Sequence, residues 1–182
     1  MTLVTHTVAI VEDDEVLRQS LKSLVDGGAG WRLTGTWPSA EEALPALVQA
    51  PPEVVLMDIN LPGASGIECV SRLKQRCPQV QVLMVTIYDN SDQVFAALAA
   101  GASGYLLKRD IPGRLLECLH EVLDGGSPMS SRIARQVVCF FQERGQAKRE
   151  TDDLTSREQQ ILERLAQGAL YKEIAGELSI AR

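Results

Sequence analysis

The sequence is poor in the residues that hold zinc or cross-link small domains. Its 182 residues include four cysteines and two histidines, and no cysteine pair has the C-x-x-C spacing. Structural zinc sites and disulfide frameworks both depend on such clustering. We therefore exclude both classes and interpret the cysteines as buried structural thiols: Cys69, Cys77, Cys118 and Cys139.

Long apolar runs and an excess of basic charge are also missing. The longest uncharged stretch, 93–107, is interrupted by glycine and serine and is shorter than the roughly 18 residues of a membrane span. No basic residue precedes the short apolar run at the N-terminus, as a secretory signal would require. We expect a cytoplasmic protein with no membrane partner. The net charge of −6 argues against a generic nucleic-acid binder.

An alternation of strand and helix patterns fills most of the chain. Helical spacing of apolar residues, as at Leu17, Leu21 and Leu24, separates short apolar runs. Continuous apolar strands alternating with helices predict an α/β fold with a parallel sheet covered on both faces. The flavodoxin-like strand order 2-1-3-4-5 is the leading candidate. Pro45 lies within a helical stretch and predicts a short or bent helix there. The five predicted strands are 8–11, 32–37, 54–57, 80–85 and 104–107.

The last third of the chain has a different pattern. A Gly-Gly-Ser-Pro sequence ends the α/β region, a helix is predicted over 131–144, and the polar stretch 145–153 is typical of a linker. Thr155 and Glu158 then form a capping box ahead of two short amphipathic helices. We predict a first domain over 1–127, a linker helix and tether over 128–153, and an all-α segment over 154–182.

Polar residues follow four of the five predicted strands. An acidic run, Glu12-Asp13-Asp14, follows the first strand, and Asp58, Thr86 and Lys108 end the third, fourth and fifth. The predicted strand order brings all of them to the carboxyl edge of the sheet, where open α/β sheets place their sites.

Clustered carboxylates need a cation, and a set of oxygen ligands with open positions suits Mg²⁺. A remaining carboxylate could then attack phosphorus, while a lysine and a hydroxyl bind the phosphoryl group. These features predict a phosphoryl-accepting site. The alternative is that each acidic residue only caps the helix that follows it.

Four segments carry a resemblance to a known family: VAIVEDDE (8–15), VVLMDINLPGASGIE (54–68), VLMVTIYD (82–89) and GASGYLLK (101–108). With them, residues 7–126 resemble the receiver domain of bacterial two-component response regulators. The resemblance implies that Asp58 is the phosphoacceptor, phosphorylated by a partner sensor histidine kinase or a small phosphodonor.

The same resemblance assigns the other site residues. It implies Mg²⁺ bound by Asp13, Asp58 and the backbone carbonyl of Asn60, with Glu12 or Asp14 as the neighbouring, indirect acidic group. The resemblance also implies that Lys108 binds the phosphoryl group and that Thr86 and Tyr105 form a conformational switch pair.

Two enzyme classes are disfavoured by the sequence. Phosphatases with an aspartyl nucleophile usually carry a second aspartate two residues later as general acid. Asn60 occupies that position and cannot exchange a proton at neutral pH. No G-x-G-x-x-G motif follows the first strand, which disfavours a dinucleotide-binding domain. We therefore predict a signalling protein and not an enzyme, apart from self-catalysed phosphoryl transfer and dephosphorylation.

The segment LTSREQQILERLAQGALYKEIAGELSIAR (154–182) resembles the beginning of the LuxR-type helix-turn-helix of NarL/FixJ-type response regulators. The resemblance implies control of transcription, DNA binding by the intact protein and a homodimer on phosphorylation. The family's recognition helix would begin near Arg182, so we interpret the chain as C-terminally truncated, with no identifiable DNA-binding residue. Residues 128–182, with 9 basic and 8 acidic side chains, are nearly neutral. A regulator acting by protein–protein contact without DNA binding stays open as the alternative.

Overall fold

The fold is a parallel sheet with helices on both faces, seen in a computed structural model that describes residues 5–87 and 90–152. The predicted helix-turn-helix segment, 154–182, lies outside the described residues. The strands pair in the order β2-β1-β3-β4-β5, which confirms the predicted topology. The elements are β1 His6–Val11, α1 Glu15–Asp26, β2 Trp31–Trp37, α2 Ala40–Gln49, β3 Val54–Met57, α3 Gly66–Arg76, β4 Gln81–Thr86, α4 Ser91–Ala99, β5 Gly104–Leu107, a 3₁₀ turn Lys108–Asp110, α5 Ile111–Leu123 and α6 Ser131–Asp152.

Successive side chains of each strand point to opposite faces of the sheet, and this alternation divides the buried residues into two cores. In β1, Val8 and Ile10 join one core with residues of α1 and α5. Ala9 and Val11 join the other with residues of α2, α3 and α4. Because both faces of the sheet are covered, the central strands are apolar along their length, which is the pattern seen in the sequence.

The helices begin where a polar side chain caps the first turn. Asp14, Ser39, Ser65 and Asn90 each accept a hydrogen bond from a backbone N–H two or three residues into the following helix. Helix α2 runs through Pro45 for ten residues, so the proline does not end it. None of the helices in the described part of the chain is both long and apolar enough to cross a bilayer.

The segment after α5 packs against the last strand of the sheet. The backbone N–H of Tyr105 donates to the Pro128 carbonyl over 2.8 Å, and Tyr105 also forms a parallel bridge with Met129. Ile133, in the first turn of α6, is fully buried in the core on the α2–α4 side. The segment therefore covers the β5 edge, which would otherwise expose unpaired backbone groups.

The chain divides into two compact units, residues 1–137 and 138–182. Helix α6 continues to Asp152, through the stretch that the polarity of the sequence indicated as a tether. Glutamine, alanine, lysine, arginine and glutamate dominate that stretch and are strong helix formers, so its backbone favours a helix without apolar periodicity. The domain boundaries at 127/128 and 153/154 stay predictions.

The cysteines are free thiols, and three of them are buried: Cys69, Cys77 and Cys118. Burial raises the pKa of Cys69 to about 11, which keeps this thiol protonated and unreactive at neutral pH. Cys139 is partly exposed. The structural interpretation of the buried thiols is thus confirmed for three of the four.

Candidate functional site

The polar residues that follow the strands meet at the carboxyl edge of the sheet. Glu12 follows β1 and is 1% exposed, Asp58 follows β3 and is 4% exposed, and Thr86 ends β4 and is fully buried. Lys108 follows β5 directly. Parallel strands align their carboxyl ends, so residues far apart in the sequence become neighbours.

Lys108 lies between two carboxylates. Its ammonium donates hydrogen bonds of 2.9 Å to Glu12 Oε1 and 2.9 Å to Asp58 Oδ2. Burial by itself would lower the pKa of Lys108, but the hydrogen bonds and charges of Glu12 and Asp58 outweigh it and raise the pKa. The side chain therefore remains a cation and joins the carboxyl ends of β1, β3 and β5.

Glu12 is a buried carboxyl group whose surroundings disfavour its charged form. Burial, followed by repulsion from Asp58, raises the pKa of Glu12 to about 7 against the opposing hydrogen bond from Lys108. Its Oε2 atom is buried and accepts no hydrogen bond from the described residues, although the Lys108 ammonium lies 2.9 Å away. An ionised Glu12 therefore carries negative charge that a cation would stabilise.

Three carboxylates of the site can converge on one point. Glu12, Asp13 and Asp58 each offer an oxygen, and these oxygens lie within 4.8 Å of one another. Asp13 is exposed and open to solvent. The other Asp58 oxygen, Oδ1, accepts a 2.7 Å hydrogen bond from the backbone N–H of Ile59. Oxygen donors with one open side match the preferences of Mg²⁺, so the residues present fit this ion.

Asp14 serves another purpose. Its Oδ1 accepts a 3.0 Å hydrogen bond from the backbone N–H of Leu17 and caps α1. This backbone hydrogen bond lowers the pKa of Asp14. Of the two acidic residues left open by the sequence, Glu12 thus lies in the carboxylate cluster and Asp14 at the start of the helix.

The remaining predicted residues lie on β5 and on the loop after β3. Tyr105 on β5 is fully buried in the core on the α2–α4 side, and its register partner on β4 is Met84, two residues before Thr86. Asn60 is exposed two residues after Asp58. Gly66 approaches Asp58 so closely that a Cβ atom at position 66 would lie 1.8 Å from the Asp58 carbonyl oxygen.

Sequence reasoning missed Arg18. Its guanidinium donates hydrogen bonds to the backbone carbonyls of Glu12 and Asp13. The available signal was an arginine one helical turn after the acidic run, a spacing that brings its side chain back over the start of the helix.

Comparison with known proteins places this geometry in a family. Residues 8–120 match the response regulator receiver domain, and residues 152–182 match the luxR family of bacterial regulatory proteins. The transcriptional regulatory protein UhpA of Escherichia coli K12 is 33% identical over 175 residues, which cover 96% of this chain and 83% of UhpA. The chain belongs to the two-component response regulators.

Other response regulators are also similar to this chain. The nitrate/nitrite response regulator NarL of Escherichia coli K12 is 29% identical over 96% of this chain and 81% of NarL. A LuxR-family response regulator from Aurantimonas sp. SI85-9A1 superposes with a TM-score of 0.70 at 29% identity, over 77% of this chain and 98% of that structure.

The RcsB response regulator in complex with DNA shares the fold, with a TM-score of 0.68 at 19% identity over 97% of this chain and 84% of RcsB. Its identity is too low to show more than the fold. The two family matches and the relatives nevertheless make this response regulator one that controls transcription. The alternative of a regulator acting without DNA is not favoured.

Proposed function

We propose that Asp58 accepts a phosphoryl group from a phosphohistidine of a partner sensor histidine kinase, and that this modification controls DNA binding through the LuxR-type segment. The observation that carries the proposal is the position of Asp58. It is buried at the carboxyl end of β3, with Oδ2 2.9 Å from the Lys108 ammonium and its carboxylate within 4.8 Å of Glu12 and Asp13.

In the proposed reaction an oxygen of Asp58 attacks phosphorus, a new P–O bond forms, and the P–N bond to the histidine breaks with its electron pair leaving on the imidazole. Ile59 N–H holds Oδ1 in place, so Oδ2 is the oxygen on the Lys108 side. Lys108 already lies where negative charge would accumulate and needs no rearrangement to stabilise it.

Asp13, Asp58 and the backbone carbonyl of Asn60 would hold Mg²⁺ in this site, with Glu12 as the neighbouring, indirect acidic group. The bound ion would neutralise charge on the phosphoryl oxygens. The carboxylates of Glu12, Asp13 and Asp58, which offer oxygens within 4.8 Å of one another, support an acidic site that would receive a cation.

Thr86 and Tyr105 are proposed to report the phosphorylation. Thr86 ends the strand next to β3, and its hydroxyl would donate to a phosphoryl group on Asp58. Tyr105 lies on the adjacent strand, and its backbone is bonded to the segment that leads into α6. A shift of this pair would therefore move the backbone that leads from the receiver domain into α6.

The wider setting of the response regulator follows from the same proposal. Its partners would be a sensor histidine kinase and DNA, both met in the cytoplasm, and phosphorylation would favour a homodimer. Receiver and LuxR-type matches in one chain support the kinase and DNA partners.

Labelling with acetyl phosphate tests the assignment of Asp58. Intact-mass analysis of the full chain should show one added phosphoryl group in the presence of Mg²⁺ and none with EDTA. Asp58→Asn should abolish labelling, whereas Asp92→Asn on the exposed first turn of α4 should not. Equal labelling of Asp58→Asn and the unmodified protein would overturn the proposal.

A further inference from the structure

The loop between β1 and α1, residues 12–14, carries the acidic residues of the site and is held by one arginine. Arg18 Nη1 donates a 2.5 Å hydrogen bond to the Glu12 carbonyl and a 3.1 Å hydrogen bond to the Asp13 carbonyl. Arg18 Nη2 forms an ion pair with Glu15, and the Arg18 side chain is only 12% exposed. One partly buried guanidinium therefore binds two successive peptide groups of the loop.

These two peptide groups set the directions in which the acidic side chains leave the backbone. Other contacts hold the two ends of the loop: Glu12 N–H donates to the Trp37 carbonyl over 3.0 Å, Lys108 donates to the Glu12 carboxylate, and Asp14 caps α1. The contact of Arg18 with the Asp13 carbonyl matters most, because Asp13 is exposed and its side chain has solvent on one side.

The chemistry of arginine suits this position. A guanidinium is planar, permanently charged and carries several N–H donors in a rigid arrangement, so it can hold two carbonyls and a carboxylate at once. A lysine ammonium is a single point charge on a flexible stem and holds such a group less rigidly. A methionine of similar length keeps the packing of the stem but donates nothing.

We propose that Arg18 is a positioning residue for the divalent cation: it holds the Glu12 and Asp13 peptides so that their carboxylates face Asp58. This inference rests on the proposed Mg²⁺ site. Groups that orient metal ligands typically change affinity by about 10- to 100-fold when removed. Asp58 and Lys108 are held by β3 and β5, so loss of Arg18 should weaken Mg²⁺ binding more than the phosphorylation rate at saturating Mg²⁺.

The test compares the unmodified chain with Arg18→Met, Arg18→Lys and, as a matched control, Arg72→Met. Arg72 is an exposed arginine that pairs with Glu68 on α3, away from the loop. Two readouts are measured against Mg²⁺ concentration: the thermal unfolding temperature and the rate of labelling by acetyl phosphate. The unfolding temperature reports Mg²⁺ binding without any phosphoryl transfer. The labelling rate gives the Mg²⁺ concentration for half-saturation separately from the maximal rate.

We expect Arg18→Met to raise the Mg²⁺ concentration for half-saturation by roughly ten-fold in both readouts, with the maximal labelling rate reduced by much less. Arg18→Lys should fall between Arg18→Met and the unmodified chain, and Arg72→Met should match the unmodified chain. If Arg18→Met does not fold, Arg18→Lys decides the question.

Two different results would overturn two different statements. An unmodified chain that gains no thermal stability from Mg²⁺ would contradict the proposed metal site itself. A normal Mg²⁺ response in the unmodified chain together with unchanged half-saturation in Arg18→Lys and Arg18→Met would contradict the role of Arg18 alone. Reduced stability without a change in half-saturation would likewise assign Arg18 a purely structural role.

Discussion

Replacing Glu12 with glutamine should stabilise the metal-free protein at alkaline pH. The folded protein raises the pKa of Glu12 from 4.5 to about 7, chiefly because the carboxyl is buried. At about 1.4 kcal/mol for each tenfold change in proton affinity, ionised Glu12 costs the folded state about 3 kcal/mol. Glutamine has nearly the same shape and can still accept from Lys108, but it carries no charge.

The pH dependence follows from the direction of this change. A carboxyl with a raised pKa binds its proton more tightly in the folded state, so its stabilising effect is complete below pH 4.5 and disappears as the pH rises through about 7. The advantage of Glu12→Gln over the unmodified protein should therefore be under about 1 kcal/mol near pH 5 and about 3 kcal/mol near pH 8.5.

Urea unfolding in EDTA at these two pH values measures the effect. The difference between the unfolding free energies of the two proteins is the quantity of interest, because titrating groups that do not interact with Glu12 contribute equally to both. Added Mg²⁺ should stabilise the unmodified protein more than Glu12→Gln, since the ion offsets the same negative charge. A difference in unfolding free energy that does not change with pH would refute this account of Glu12.

Three further substitutions test the packing of the site and of the fold. Gly66→Ala should lower the unfolding free energy by at least about 3 kcal/mol and reduce acetyl phosphate labelling, because the new Cβ would meet the Asp58 carbonyl. Lys108→Met should destabilise the metal-free protein by about 3–5 kcal/mol near pH 8, since it leaves two buried carboxylates unpaired, and Mg²⁺ should restore much of the loss. Ile133→Ala should cost about 2–5 kcal/mol in urea unfolding if the first turn of α6 is part of the receiver core, and a negligible cost would contradict that packing.

Much of the fold could be predicted because its causes are local. Apolar runs alternating with helical spacing indicated five strands and the helices between them, and the order 2-1-3-4-5 was confirmed. Helix starts are likewise local, since a side chain bonds its own first turn, as Asn90 does at α4. The end of α6 was not, because a polar segment of good helix formers has no apolar periodicity to distinguish it from a linker.

The candidate site could be predicted only in part. Asp58, Thr86 and Lys108 follow strands directly, and parallel strands align their carboxyl ends, so the residues that meet there could be named in advance. Arg18 was missed because its role depends on hydrogen bonds to backbone carbonyls. Those acceptors are present at every position and leave no signal in the sequence.

The sequence by itself thus determined the parallel sheet, the edge at which chemistry is placed and the residue types that meet there. The choice between Glu12 and Asp14 was decided by tertiary structure. The two residues are both acidic and lie two positions apart, and the run of three acids left the register of the motif ambiguous. Glu12 joins the cluster because Lys108, 96 residues away, donates to it, whereas Asp14 is taken by the first turn of α1. Long-range contacts of this kind exist only once the strands are paired. They decide which carboxyl group is buried and therefore has a raised pKa.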